Sequence, residues 1–340
     1  MKHRLPILSA MVLGIVGAVT AGLLTAQSPR ARAEGGEAPP FAGAMPIAKS
    51  SLPALPLAVA PPLPGASLGA TVAPTAVGTA QGAELARRSL DQLALFDSLS
   101  AKIRFHGNVL DRTLSGTGLY LQSGHAPIRL RMELKMPVGD DLFTLQQVCD
   151  GNALWSRRTL FGAVRLGRVD AARALTAREA RLASGGATAG TPTKELALGG
   201  LPLLVDGVRR SFDLQTVRSA TVGKIRTHKV SGRLNPSLLA ELLPEQKETI
   251  HSGGTPDLKK LPEQAPTHVD LYIGVDDLFP YKFDFKRVVN DKTDSDDASP
   301  MYGVEFYDVE RNIAIDPVQF LFQPGELVPV DDTELFIGRQ

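Results

Sequence analysis

The side chains most able to do chemistry are scattered along this chain. Beyond residue 4 there are five histidines, and no two of them have the His-x-x-x-His spacing that places two metal ligands on one helix face. They are His106, His125, His228, His251 and His268. Each is expected to be an ordinary core or surface residue, and no metal site or cofactor is predicted.

Other reactive groups are equally isolated. Cys149, the one cysteine, lies in a predicted strand beside a hairpin and is expected to be a small buried hydrophobe. Asp291, Asp294, Asp296 and Asp297 form an acidic loop that lacks the glycine and terminal glutamate of a calcium-binding hand. The sequence also has no Gly-x-Ser-x-Gly elbow and no phosphate-binding glycine loop. We therefore predict a protein that is not an enzyme, although a buried Ser–His or Asp–His pair formed by folding stays open.

The charge balance argues against a nucleic-acid-binding protein. The 340 residues carry 37 basic and 36 acidic side chains, a formal net charge of +1. A nucleic-acid-binding protein needs a basic excess or stripe to engage phosphates, so no nucleic-acid partner is expected. With 43% apolar residues the chain can bury a core, and a single cysteine cannot form an internal disulfide.

The N-terminus predicts export. Lys2, His3 and Arg4 precede an uncharged run from Leu5 to Ala26, as in a secretory signal peptide. Because its 22 residues could also span a bilayer, an uncleaved anchor is an alternative. Residues 27–82 are rich in Ala and Pro and are predicted to be a disordered linker. The folded domain is predicted to be residues 83–340, a monomer in the periplasm or cell envelope.

The folded part begins with an amphipathic helix, and its pattern then changes to the two-residue period of strands. In residues 127–135 the alternation is strict, with Leu130, Met132 and Leu134 on one face. Asp150-Gly151 predicts a hairpin, and residues 249–266 look like a mobile insertion. The whole predicts an α+β domain with one long antiparallel sheet and two or three helices.

A sheet with this many strands must curl or close, and its apolar face needs a cover. If the helices cover it loosely, a ligand cavity remains, and if they fill it, the same residues are ordinary core. Alternation gives the candidate lining of the concave face: Phe105, Leu119, Leu121, Leu130, Met132, Leu134, Trp155, Leu271, Ile273, Phe283 and Phe285.

Three motifs resemble the LolA-like outer-membrane lipoprotein carrier family over about residues 89–333. The first is the entry helix that leads into residues 97–105, followed by the glycine-led strand Gly116-Thr-Gly118-Leu119-Tyr120-Leu121. The second is the hairpin Asp150-Gly151-Asn-Ala-Leu154-Trp155, and the third is the ending Phe320-Leu-Phe322-Gln-Pro324 with Val328-Pro-Val330-Asp331. The resemblance implies an unclosed half β-barrel around a helical lid, with an interior that holds acyl chains of lipids or lipoproteins.

The chain departs from the family where an Arg-Pro pair would latch the lid. Here Gly124-His125-Ala126-Pro127 keeps the proline without the arginine. We expect an envelope carrier of lipid or lipoprotein acyl chains, with envelope membrane proteins as further partners. The alternative is an anchored scaffold or protein-interaction module that uses the same fold with a filled interior.

Overall fold

A computed structural model describes residues 80–109, 112–125, 127–184, 192–263, 265–288, 298 and 300–338. The predicted export segment, most of the predicted linker and the acidic loop at Asp291–Asp297 lie outside these residues.

The described residues form one twelve-stranded sheet with the order β12-β6-β5-β4-β3-β2-β1-β11-β10-β9-β8-β7. Its strands are β1 (Ser98–Val109), β2 (Arg112–Ser123), β3 (Arg129–Val138), β4 (Asp141–Cys149), β5 (Ala153–Leu160), β6 (Ala163–Asp170), β7 (Phe212–Val222), β8 (Ile225–Leu234), β9 (His268–Gly274), β10 (Pro280–Lys286), β11 (Pro300–Arg311) and β12 (Val330–Asp331). Neighbours pair antiparallel except the two-residue β12, which runs parallel to β6. The end strands β7 and β12 do not pair, so hydrogen bonds do not close the sheet.

Six α-helices accompany the sheet within the described residues. They are α1 (Ala80–Leu93), α2 (Ala171–Ala183), α3 (Pro192–Ser211), α4 (Pro236–Leu242), α5 (Lys247–His251) and α6 (Thr333–Ile337). Local sequence sets their starts. The Asp170 carboxylate accepts a hydrogen bond from the Arg173 N–H at the start of α2, and Asn235 caps α4 in front of Pro236. The predicted α+β architecture, an unclosed half β-barrel with helices, is confirmed.

Alternation divides the sheet into two faces. In β3 the buried Leu130, Met132, Leu134 and Met136 alternate with more exposed residues. We call the face that carries these four residues, and on which α1 and α3 pack, the inner face. The opposite side is the outer face. The main core lies on the inner face between the sheet and these two helices.

Two segments differ from the sequence-based prediction. Strand β6 was not predicted, because Arg165, Gly167 and Arg168 interrupt its apolar alternation. The predicted mobile insertion at residues 249–266 instead belongs to a small ordered layer that begins at α4. There Leu243, Ile250 and Leu261 bury one another in a separate apolar cluster. The physical reason is that short helical turns can bury a few side chains without the long periodic pattern that reveals a helix.

Candidate functional site

The inner face is a continuous apolar surface, and eight of the predicted lining residues lie on it. They are Phe105, Leu130, Met132, Leu134, Leu271, Ile273, Phe283 and Phe285, each no more than 8% exposed. Seven of these join one cluster of buried side chains that runs across the sheet from β4 to β7. Leu130 instead belongs to a neighbouring cluster beneath α2 and the start of α3.

The other three predicted lining residues lie on the outer face. Leu119 and Leu121 stand opposite Glu133 and Arg131 of β3, and directly opposed residues of paired strands point to the same side of a sheet. Leu119 is 36% exposed, and Tyr120 between them is the inward residue. The sequence Leu-Tyr-Leu does not show which side chains point to the inner face, because all three are suited to burial.

Trp155 lies on the outer face beneath the C-terminal segment. Its ring stacks on the ring of Phe322 with 5.3 Å between centroids. The Arg168 guanidinium lies over the Trp155 ring, 5.7 Å from its centroid. The Arg131 guanidinium donates to the Gln319 carbonyl at 3.2 Å and holds the same segment nearby. The tryptophan therefore fastens the C-terminal segment to the sheet, a role that its hairpin motif did not reveal.

Helix α3 is broken where it crosses the inner face. Gly199 and Gly200 leave helical geometry, and Gly200 has a φ of 67° that favours glycine. Space requires glycine there as well, because a Cβ on Gly200 would lie 2.3 Å from the Gln122 side-chain oxygen. Pro202 stands in the first turn of the second half, where a helix tolerates proline. The break divides α3 into two helical pieces, residues 192–198 and 201–211.

A buried polar contact fixes this break to the sheet. The Leu201 N–H donates to the Tyr120 hydroxyl at 3.0 Å and to the Gln122 side-chain oxygen at 3.2 Å. The Tyr120 hydroxyl in turn donates to Gln122 at 2.6 Å. Burial raises the pKa of the Tyr120 hydroxyl, which stays a neutral donor. We call Tyr120, Gln122 and the Leu201 N–H the β2 latch; it joins α3 to the sheet.

A charged network joins α2 to both pieces of α3. The Arg178 guanidinium donates to Glu195 at 3.0 Å and to Asp206 at 3.0 Å, and Asp206 also accepts from Arg209 and Arg210. Burial raises the pKa of Glu195 despite the neighbouring Arg178. Burial also acts to raise the pKa of Asp206, but hydrogen bonds from three arginines hold it below its usual value. The network therefore ties α2 to both pieces of α3.

The helices cover the inner face closely. Leu201, Leu204, Val205 and Val208 of α3 are buried against it, as are Leu85 and Leu93 of α1. A cavity of about 60 Å³ lies between α2, α3 and α6, with Leu198, Phe336 and Ile337 in its wall. Sites for small ligands measure about 300–1,000 Å³, so this cavity alone does not hold an acyl chain.

A row of buried charges crosses the outer face, and the sequence analysis did not single it out. Asp270 and Asp284 stand directly opposite each other on β9 and β10. Asp270 accepts from Ser231 at 2.5 Å and pairs with Lys286, while Asp284 lies 3.0 Å from the His106 ring and 2.7 Å from Lys282. The serine and the histidine thus contact different carboxylates. Asp284 and His106 form an Asp–His pair of the kind that the sequence left open, and Ser231 contacts the other carboxylate.

The described residues contain neither a membrane-spanning helix nor a cluster of metal ligands. None of their helices combines the length and apolar character needed to cross a membrane. Within the same residues, no three His, Cys, Asp or Glu side chains converge as metal ligands would.

Comparison with known proteins gives likeness in structure alone. No family model and no curated protein matches the chain. Among solved structures, the chain is similar to LprF from Mycobacterium bovis, with 10% identity over 70% of this chain and 95% of that one and a TM-score of 0.34. It is similar to the lipoprotein LppX of Mycobacterium tuberculosis, with 12% identity over 70% and 98% and a TM-score of 0.34. A LolA superfamily protein from Nitrosomonas europaea matches with 11% identity over 73% and 99% and a TM-score of 0.27. At these values the likeness assigns no ligand and no activity.

Proposed function

We propose that this protein is a cell-envelope carrier that holds the acyl chain of a lipid or lipoprotein between the inner face and helices α1 and α3. The observation that carries the proposal is an apolar inner face that is continuous from β4 to β7 and is covered by helices rather than by a second sheet. Its eight predicted lining residues supply the walls. The uncharged run at residues 5–26 would export the chain or anchor it.

Because the cover is close, the ligand would have to take the place of helix side chains. Burying each methylene gains about 0.8 kcal/mol, so a chain of about fifteen methylenes gains about 12 kcal/mol. Uncovering Leu201, Leu204, Val205 and Val208 of α3 costs about 1.5–3 kcal/mol for each side chain. The two totals are of similar size, so exchange of the α3 side chains for an acyl chain is close to balanced.

Mass spectrometry of bound lipid tests the proposal. The full chain is purified without detergent, extracted with organic solvent and compared with an unrelated exported protein from the same cells. We expect lipid in stoichiometric amount. Leu130→Asp and Ile273→Asp, on the inner face, should abolish it, while Leu119→Asp on the outer face should leave it unchanged. A folded inner-face variant that keeps its lipid, or a wild-type protein without lipid, contradicts the proposal.

A second candidate is an envelope scaffold that binds proteins and uses the filled interior only for stability. The close packing of α1 and α3 on the inner face favours it. The same extraction separates the two candidates, since a scaffold of this kind yields a folded wild-type protein without stoichiometric lipid.

A further inference from the structure

Arg158 of β5 is buried on the inner face without a hydrogen-bond partner. Its side chain is on the same side of the sheet as that of Leu154, four residues earlier, and the residue is 5% exposed. All three guanidinium nitrogens are inaccessible and make no hydrogen bond. A buried charge that lacks both water and a partner costs several kcal/mol, so such an arrangement calls for an explanation.

The neighbouring charges leave one positive charge in excess. Arg165 stands directly opposite Arg158 on β6, and its guanidinium donates to both oxygens of Asp332, at 2.8 and 2.6 Å. That carboxylate is 4% exposed; each of its oxygens accepts from Arg165, and it attracts the Arg158 charge without a hydrogen bond to it. Two guanidinium groups thus share one carboxylate. Burial, with the nearby Arg165, lowers the pKa of Arg158 to about 10, which still leaves it charged at neutral pH.

Arg158 borders the apolar surface of the proposed acyl site. Across the sheet it stands opposite Leu145 of β4, which stands opposite the lining residue Leu134 of β3. On the same side of β4, the buried Gln147 side-chain oxygen also has no hydrogen-bond partner. Unmatched polar groups therefore lie within two strands of the residues that would contact an acyl chain.

We propose that Arg158, beside Arg165, binds the oxyanion headgroup of an amphiphile, a carboxylate or a phosphate, while the acyl tail lies along the inner face. This inference rests on the proposed function and adds the chemical class of the ligand. A guanidinium presents parallel N–H groups that match both oxygens of a carboxylate or phosphate. The anion would neutralise the excess charge, and the tail would extend from β5 toward β3.

Competition binding to the full chain tests the inference, with palmitate, methyl palmitate and dipalmitoyl phosphatidic acid as probes. The wild type should prefer palmitate over its uncharged methyl ester by about 10- to 100-fold, the range for hydrogen bonds to a charged group. Arg158→Met should reduce this preference to about onefold without weakening the ester. Arg157→Met, which removes an exposed arginine one residue away, is the matched control and should keep the preference. The phosphatidic acid arm shows whether the wild type selects phosphate over carboxylate.

The outcomes separate the two proposals. Equal binding of palmitate and its ester by the wild type overturns the headgroup site and leaves the acyl site standing. No binding of any probe overturns the proposed function, and the headgroup site with it. Without ligand, Arg158→Met should melt at a higher temperature than the wild type, because an unpaired buried charge is removed. A lower melting temperature overturns the inference. Should Arg158→Met fail to fold, Arg158→Lys keeps the charge without the bidentate fork, and an undiminished preference in that variant also overturns it.

Discussion

The two ends of the inner face are built differently. At one end β9, β10 and β11 contribute an aromatic half in which Phe279, Phe283 and Phe306 are 0% exposed and their rings meet edge to face. At the other end β3 to β6 contribute a mixed half. This half contains Met132, the Arg158 guanidinium without a hydrogen-bond partner, and Gln147, whose side-chain oxygen also lacks one. In the aromatic half Arg311 Nε likewise lacks a partner, but the rest of that guanidinium pairs with Asp277, whereas no nitrogen of Arg158 is hydrogen-bonded.

The difference indicates that the two halves of the inner face have different roles. Interlocking aromatic rings bury the largest area and tolerate little change in volume, so the aromatic half should hold the fold together. Methionine is flexible and fills irregular spaces, and unmatched polar atoms mark a surface whose partners come from elsewhere. The mixed half is therefore where we expect ligand to enter and side chains to rearrange.

The strongest test of this division compares one truncation from each half. Phe283→Ala should lower the free energy of unfolding by about 4 kcal/mol, within the usual range for a buried phenylalanine. Met132→Ala should cost about 2 kcal/mol, since its surroundings can collapse into the space. Urea denaturation measures both. Equal losses would contradict the division.

The β2 latch should control the mixed half with a smaller effect on stability. Replacing Tyr120 by Phe and Gln122 by Leu leaves the buried Leu201 N–H without an acceptor, at a cost of about 1–3 kcal/mol. Hydrogen exchange should then quicken in residues 201–211 and stay slow in β9 and β10. Uniform acceleration across the sheet would show that the two halves open together.

A pH titration tests the aromatic half from its outer side. His268 begins β9, and burial, with the nearby Arg233, lowers its pKa to about 4. The unfolded chain binds the proton at higher pH than the folded one, so stability is full above about pH 6.5 and falls as the pH drops toward 4. His268→Gln should flatten the curve of unfolding free energy over this window. Superimposable curves for variant and wild type would refute the assignment.

Cysteine labelling tests the mixed half with the smallest expected effect. Cys149 is buried there, and burial raises the pKa of its thiol to about 11. At pH 8 roughly one thiol in a thousand is ionised, so alkylation by iodoacetamide should be very slow. It should quicken in the Tyr120→Phe, Gln122→Leu variant. Fast labelling of the wild type would mean that this end is open without ligand.

Much of the strand framework could be predicted from local pattern. The alternation in β3 and β9 identified Leu130, Leu134, Leu271 and Ile273 as members of one buried face, because side-chain direction in a strand repeats every two residues. The same rule failed where three apolar residues follow one another in β2. There the choice between Leu119 and Tyr120 depends on what packs above the strand, which no local pattern contains.

The sequence by itself determined the alternating strands, the helix caps at Asp170 and Asn235 and the near balance of charge, since these depend on neighbours along the chain. Only the tertiary structure brought the Leu201 N–H to Tyr120, 81 residues away, and set Arg165 against Asp332, 167 residues away. The register of the strands and the packing of the helices decide which distant groups meet. Whether a buried polar group has a hydrogen-bond partner depends on these contacts. In the sequence Arg158 is therefore one basic residue among many, and its burial without a hydrogen-bond partner is seen only in the folded structure.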